Sequence, residues 1–341
     1  MKKNYFGVVI FTIITAFLLS SCDDSGVNHL VHQNGIITFT QKNLLPLNPN
    51  VDGVYELWLR LDSSGIQSWY SLGKFNIGPD GKSMVDLNGQ PMTFTYNGDT
   101  TKLSWANYVV VSIENLNVNF APSSAKIITG PVGANQDSVY GSLYIGDALA
   151  LDAGGRNLYT VWTGHFTIQT PTTGAAEPEC LKGIWLSNVA GDASGLDPSI
   201  SLIPGNGWVY EAWVADSSSP SNPIYYSAGR FYNPAAPDLD GTGPCAGPNA
   251  GFNFPGQDWV QPGCPGNGKP DIVSLAAGYY RYFITIEPEL EVANTPAFNT
   301  PFPFFIYRQY IGFLGCRLLG NLYNIPGPNK LFPDAKIHIT N

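Results

Sequence analysis

The feature that most constrains this chain is an internal repeat whose motifs keep their order while their separation grows in steps. Val54-Tyr55-Glu56-Leu57-Trp58-Leu59 returns as Val209-Tyr210-Glu211-Ala212-Trp213-Val214, 155 residues on. Tyr70-Ser71-Leu72-Gly73-Lys74-Phe75 returns as Tyr226-Ser227-Ala228-Gly229-Arg230-Phe231 at 156. Ser112-Ile113-Glu114 matches Thr285-Ile286-Glu287, and His165-Phe166-Thr167 matches His338-Ile339-Thr340, both at 173. A looser match pairs Gly35-Ile36-Ile37-Thr38-Phe39 with Gly183-Ile184-Trp185-Leu186-Ser187 at 148. The step from 156 to 173 places about 17 extra residues in the second copy, between Phe231 and Thr285.

Each copy alternates as strands do. In Val54–Leu59, the residues Val54, Glu56 and Trp58 face one side and Tyr55, Leu57 and Leu59 the other. Tyr108–Ile113 and Tyr280–Ile286 are β-branched and aromatic runs of strand length. Turn clusters such as Gly78-Pro79-Asp80-Gly81 and Asp240-Gly241-Thr242-Gly243 separate such runs. With 37 Gly, 27 Pro and only 13% charged residues, the composition excludes a coiled coil or a helical bundle. The expected fold is all-β: two tandem Ig-like β-sandwich domains, residues 35–170 and 181–341, joined by a linker at 171–180.

The first 34 residues stand apart. Lys2 and Lys3 precede an apolar run from Phe6 to Leu19, followed by Leu19-Ser20-Ser21-Cys22. This resembles the signal peptide and lipobox of bacterial lipoproteins. The resemblance implies cleavage after residue 21, a lipidated Cys22, a tether over residues 22–34 and attachment to a membrane through the acyl chains. Losing the two lysines moves the net charge from −9 to −11. So acidic a chain is a poor partner for nucleic acid, which needs clustered Lys and Arg. Asp23 and Asp24 fit either inner-membrane retention or surface export, so the expected location is the bacterial cell envelope, periplasmic or surface-exposed.

With Cys22 assigned to lipid, Cys180, Cys245, Cys264 and Cys316 remain, all in the second half of the chain. An even number in an exported chain points to two disulfides. Cys245 and Cys264 both fall in the Gly/Pro-rich insertion, where a local crosslink restrains a segment with little to bury. That leaves Cys180 with Cys316.

The motif order resembles the extracytoplasmic C-terminal domain of anti-sigma-K factors. The likeness is carried by Tyr55-Glu56-Leu57-Trp58, Gly73-Lys74-Phe75, Asp80-Gly81, Ile113-Glu114 and Pro122-Ser123, followed by Lys126-Ile127-Ile128-Thr129-Gly130. It covers residues 45–130, with a weaker echo at 200–312 in which Thr300-Pro301 and Pro303 replace the proline-serine element. The resemblance implies a compact Ig-like envelope domain. It implies no regulatory role, because that family binds its sigma factor through a cytoplasmic domain ahead of a transmembrane helix, and this chain goes from a lipoprotein signal directly to the repeat.

No catalytic constellation emerges. Glu56 with Lys74, and Glu211 with Arg230, repeat within strands and read as cross-strand ion pairs. Asp238-Leu239-Asp240-Gly241 opens like a calcium loop, but Asn249 stands at the twelfth position, where a bidentate Glu is required; a turn is expected. No cofactor or metal is implied. The aromatics are the remaining lead: Trp69 and Tyr70, or Tyr225 and Tyr226, would place one ring inward and one outward for a ligand. The expected function is a non-enzymatic binding or structural module of the envelope. Its partner is an envelope protein or a glycan, and the alternatives are a carbohydrate-binding surface lipoprotein or a hydrolase with an unrecognised site.

Overall fold

The computed structural model describes residues 34–134, 138–144, 163–173, 179–197, 199–243, 245–264, 268–289, 300–312, 315, 319–323 and 333–340. Among them the structure is antiparallel β-sheet with a few short 3-10 turns, as the alternation predicts. The first copy supplies β1 (Gly35–Lys42), β2 (Val54–Ser63), β3 (Ile66–Ile77), β4 (Met84–Val85), β5 (Phe94–Tyr96), β6 (Ala106–Glu114), β7 (Lys126–Ala134), β8 (Ser138–Tyr144) and β9 (Thr163–Ile168). The second supplies β10 (Gly183–Trp185), β11 (Leu196–Asp197), β12 (Trp208–Asp216), β13 (Ile224–Phe231), β14 (Gly256–Asp258), β15 (Tyr280–Pro288), β16 (Phe305–Tyr310), β17 (Leu319–Tyr323) and β18 (Asp334–Thr340).

The repeat holds at the level of register. Val54 stands opposite Glu114 and Val209 opposite Glu287; Tyr55 stands opposite Phe75 and Tyr210 opposite Phe231. In both copies the second and third strands slip past each other at the glycine of the glycine-basic-phenylalanine motif. Gly73 has φ +132° and Gly229 φ +101°, backbone that a side chain strongly disfavours, so this bulge explains the glycine of the motif.

The last strand of each copy crosses over. β9 closes the first copy in sequence, yet it pairs with β10, β11 and β17 of the second. Its repeat counterpart β18 returns to the first copy and inserts between β8 and β1. The first sheet therefore runs β4-β3-β2-β6-β7-β8-β18-β1-β5, nine strands in one path. The second copy reproduces this order as β13-β12-β15-β16, then β17-β9-β10-β14, with β16 packed beside β17. The expected division into two tandem Ig-like domains is not confirmed. The boundary at 171–180 does not separate self-contained sheets, and nine strands in one path are not the four-and-three division of an Ig sandwich. Equivalent strands of a tandem repeat offer each other identical partners, so motif order alone does not say which sheet a terminal strand joins.

The inward-facing residues are those that alternation selects. Tyr55, Leu57 and Leu59 pack with Val109, Val111 and Ile113; Tyr210, Ala212 and Val214 pack with Tyr282, Ile284 and Ile286. The first sheet curls until β5 lies against β3, and Phe39, Phe75 and Phe94 meet edge to face with centroids 5.4–5.9 Å apart. Most of the buried apolar residues of both copies form one continuous cluster, and the Trp208 indole donates across to Lys126 O at 2.9 Å. The described residues, from 34 onward, make up one compact unit.

Cys245 and Cys264 are bonded, with Cα atoms 5.8 Å apart, as the insertion predicts. Non-reducing peptide mapping is expected to recover this pair, and its reduction to cost up to about 3 kcal/mol through the loop it closes. Recovery of either cysteine joined to Cys180 would contradict the structure. Cys22, Cys316 and the side chain of Cys180 lie outside the described residues.

Candidate functional site

The outer sheet face of each copy carries a buried polar network. In the first, Glu56 stands opposite Lys74 on the neighbouring strand. It accepts a hydrogen bond from Ser71 Oγ at 2.6 Å and lies 3.6 Å from Lys74 Nζ. The Trp58 indole donates to Ser112 Oγ at 3.1 Å, and that hydroxyl donates to Glu114 at 2.5 Å. Glu114 also accepts from Ser123 N at 2.6 Å and Asn119 Nδ2 at 2.9 Å, while Lys74 donates to Asn115 O at 2.6 Å. The network thus holds the loop after β6, which leaves Leu116, Val118 and Phe120 exposed to solvent.

The second copy repeats it with stronger groups. Glu211 accepts from Arg230 Nε at 2.8 Å and from Ser227 Oγ at 2.6 Å. The Trp213 indole donates to Thr285 Oγ1 at 3.0 Å, Thr285 donates to Glu287, and Phe302 N donates to the same carboxylate at 2.9 Å. Burial, then the neighbouring Glu211, push the Glu287 carboxyl up to about 8. Burial also raises Glu211, opposed by Arg230. The ion-pair reading of Glu56–Lys74 and Glu211–Arg230 therefore holds, and Glu114 and Glu287 each serve within their own copy rather than across copies. The desolvation such a buried pair costs can match or exceed the attraction it gains, so its presence alone does not imply added stability.

Asp238 and Asp258 are two further buried carboxyls of the second copy. Burial raises Asp238 to about 8, and its Oδ2 accepts from Gly256 N at 2.9 Å. Burial raises Asp258 to about 6, and it accepts from Trp185 Nε1 at 3.2 Å and from Thr172. Residues 238–243 are turns, Gly241 N donating to Asp238 O and Gly243 N to Asp240 O. Among the described residues no three His, Cys, Asp or Glu side chains converge as metal ligands would.

The aromatic pairs divide as strand geometry requires. Tyr226 is buried against Trp259, and Tyr70 packs on Tyr96 with centroids 4.7 Å apart. Trp69 and Tyr225 lie on the outer face, both half-buried. Beside Trp69 the first copy sets one guanidinium: Arg60 lies 4.8 Å from the Tyr108 ring and 5.9 Å from that of Trp69.

At the equivalent place in the second copy there is a cleft of about 210 Å³. Its floor is Ala215, Tyr225, Phe283 and Phe305, flanked by Arg281, Arg308 and the loop 217–223. Trp213, Ala215 and Phe283 form a small apolar cluster beneath, separate from the main core, against which Tyr225 and Phe305 pack. The β15–β16 ladder arranges the key groups as a checkerboard, Arg281 opposite Tyr310 and Phe283 opposite Arg308. Arg281 is held by Tyr310, 4.4 Å over its ring and donating to its hydroxyl at 2.5 Å, while its Nε is buried with no hydrogen-bond partner. Among the described residues no carboxylate pairs with Arg281 or Arg308. The sequence singles out Tyr225 but neither arginine, because Arg281 looks like an isolated polar residue within a strand until β16 is laid beside it.

No family model, curated protein or solved structure matches the chain.

Proposed function

We propose that the chain is a lipid-anchored protein of the bacterial cell envelope that acts as a non-enzymatic binding module, with the arginine–aromatic cleft as its binding site. The observation that carries this reading is Arg281 and Arg308, two cations with no carboxylate partner among the described residues, over an apolar floor in a chain of net charge −9. Two nearby guanidiniums without carboxylates repel each other, and a ligand that pairs them relieves that repulsion. The residues that carry the likeness to anti-sigma-K factor domains do architectural work: Glu56 pairs with Lys74, Gly73 forms a bulge and Glu114 ties down a loop. On this reading they build a scaffold and carry no regulation.

The address is tested by Cys22→Ala, which is expected to leave the protein unprocessed or to release it from the membrane fraction. Unchanged mass and partition would end the lipoprotein assignment. The site is tested by incubating full-length protein with solubilised cell envelope and comparing the bound material with that of Arg281→Gln/Arg308→Gln. Material that depends on the cleft is expected; identical material from both proteins would remove the cleft from the function.

A further inference from the structure

Resting on the reading of this cleft as a binding site, we infer that its ligand is an acidic glycan, a sugar ring bearing a carboxylate or a sulfate. Three features converge on that class. First, the half-buried Tyr225 and Phe305 present apolar ring surface above the buried Phe283, and the C–H face of a pyranose packs on such surfaces as other apolar groups do. Second, the two guanidiniums come from diagonal positions across the β15–β16 ladder, roughly 7–8 Å apart at the backbone, with Phe283 and Tyr310 at the other corners. A guanidinium binds a carboxylate or sulfate through paired N–H donors, so the checkerboard presents two anion sites separated by an apolar step. A polymer with one anionic group per sugar matches that alternation, whereas a free inorganic anion leaves the apolar face unused. Third, the volume of about 210 Å³ lies below the roughly 300–1,000 Å³ of pockets that enclose whole ligands. The cleft therefore suits one sugar of a chain that continues along the surface.

Arg281 is set for this role before any ligand arrives. Tyr310 holds its guanidinium by stacking and by a hydrogen bond, which lowers the entropy lost on binding. Arg308 is exposed and supplies the second contact from the rim.

The test is calorimetric titration of the full-length protein in detergent with three probes: a galacturonic acid trimer, a sulfated disaccharide and a neutral galactose trimer. The acidic probes are expected to bind and to weaken as salt is raised, with no heat from the neutral trimer. Arg281→Lys, which keeps the charge but loses the paired donors, and Arg308→Gln, at an exposed position, are each expected to weaken the acidic probe about tenfold or more. The better of the two acidic probes separates carboxylate from sulfate recognition. Equal binding of the neutral trimer would overturn the acidic class. Failure of both acidic probes would also overturn it, even where the envelope comparison still shows cleft-dependent capture; loss of that capture would instead remove the binding reading itself.

Discussion

A chain ending at residue 333, one strand short, is expected to lose the cooperative folding of its N-terminal half. β18 lies inside the first sheet between β8 and β1, and Ala335, Ile337 and Ile339 point into its core. Burying each isoleucine is worth about 1.5–3 kcal/mol, and removing the strand also exposes two long unpaired edges in the middle of a sheet. That loss is comparable with the whole stability of a domain, about 5–15 kcal/mol. The same topology distinguishes two fragments. Residues 35–170, the domain that motif order suggests, lack β18 and carry β9 without its partners, so they are expected to remain unfolded or to aggregate. Thr340 stands opposite Ile36, so a short linker can join the end of β18 to the start of β1. Residues 333–341, linked in this way ahead of 35–144, are expected to melt cooperatively. Circular dichroism and thermal melts of both fragments decide it: a cooperative melt from 35–170 together with none from the rearranged chain would restore the sequential domains.

Much of the fold is legible because β-structure writes itself locally. The alternation of Tyr55, Leu57 and Leu59 with Glu56 and Trp58 assigns the two faces correctly, and the repeat offsets of 155 and 173 reproduce the strand registers of both copies. The insertion located by the change in offset is where the Cys245–Cys264 bond lies. What escapes is the strand exchange. His165-Phe166-Thr167 and His338-Ile339-Thr340 are nearly interchangeable, and either is chemically suited to either sheet; connection lengths and packing between the copies choose, and neither is visible in a motif.

The site is legible to a lesser degree, for a related reason. Strand periodicity sends one of Tyr225 and Tyr226 outward and the other inward, and in the structure Tyr226 is the buried one. It also identifies Glu211 with Arg230 as a cross-strand pair, since they sit at matched positions of adjacent strands. Arg281 and Arg308 become one site only when β15 is registered against β16, and that register includes a slip between Ile284 and Thr285 that no local pattern announces. The first copy places a single arginine, Arg60, on β2 beside its aromatics, so the repeat does not point to the pair either.

The largest point-mutation effect is expected at Arg230, and its size depends on pH in a defined way. Arg230→Met leaves Glu211 buried without its cation and close to Glu287. Removing one partner of a buried pair typically costs about 3–5 kcal/mol. A carboxyl whose folded value lies above its unfolded value binds its proton more tightly in the folded state. The stability it contributes is therefore complete below the unfolded value and fades as pH rises toward the folded one. For Glu287 that window runs from the ordinary 4.5 to about 8, and the slope it can impose is at most about 1.4 kcal/mol per pH unit. Asp238, also raised to about 8, acts in the same direction. The unmodified protein is accordingly expected to melt at lower temperature as pH is raised from 6 to 8.5. Arg230→Met should steepen that decline, because losing the cation raises both glutamates further. Glu287→Gln keeps an acceptor for Phe302 N while removing the titration, so it should flatten the decline. Parallel slopes in all three proteins would show that the Glu211–Glu287–Arg230 cluster does not take up a proton on folding.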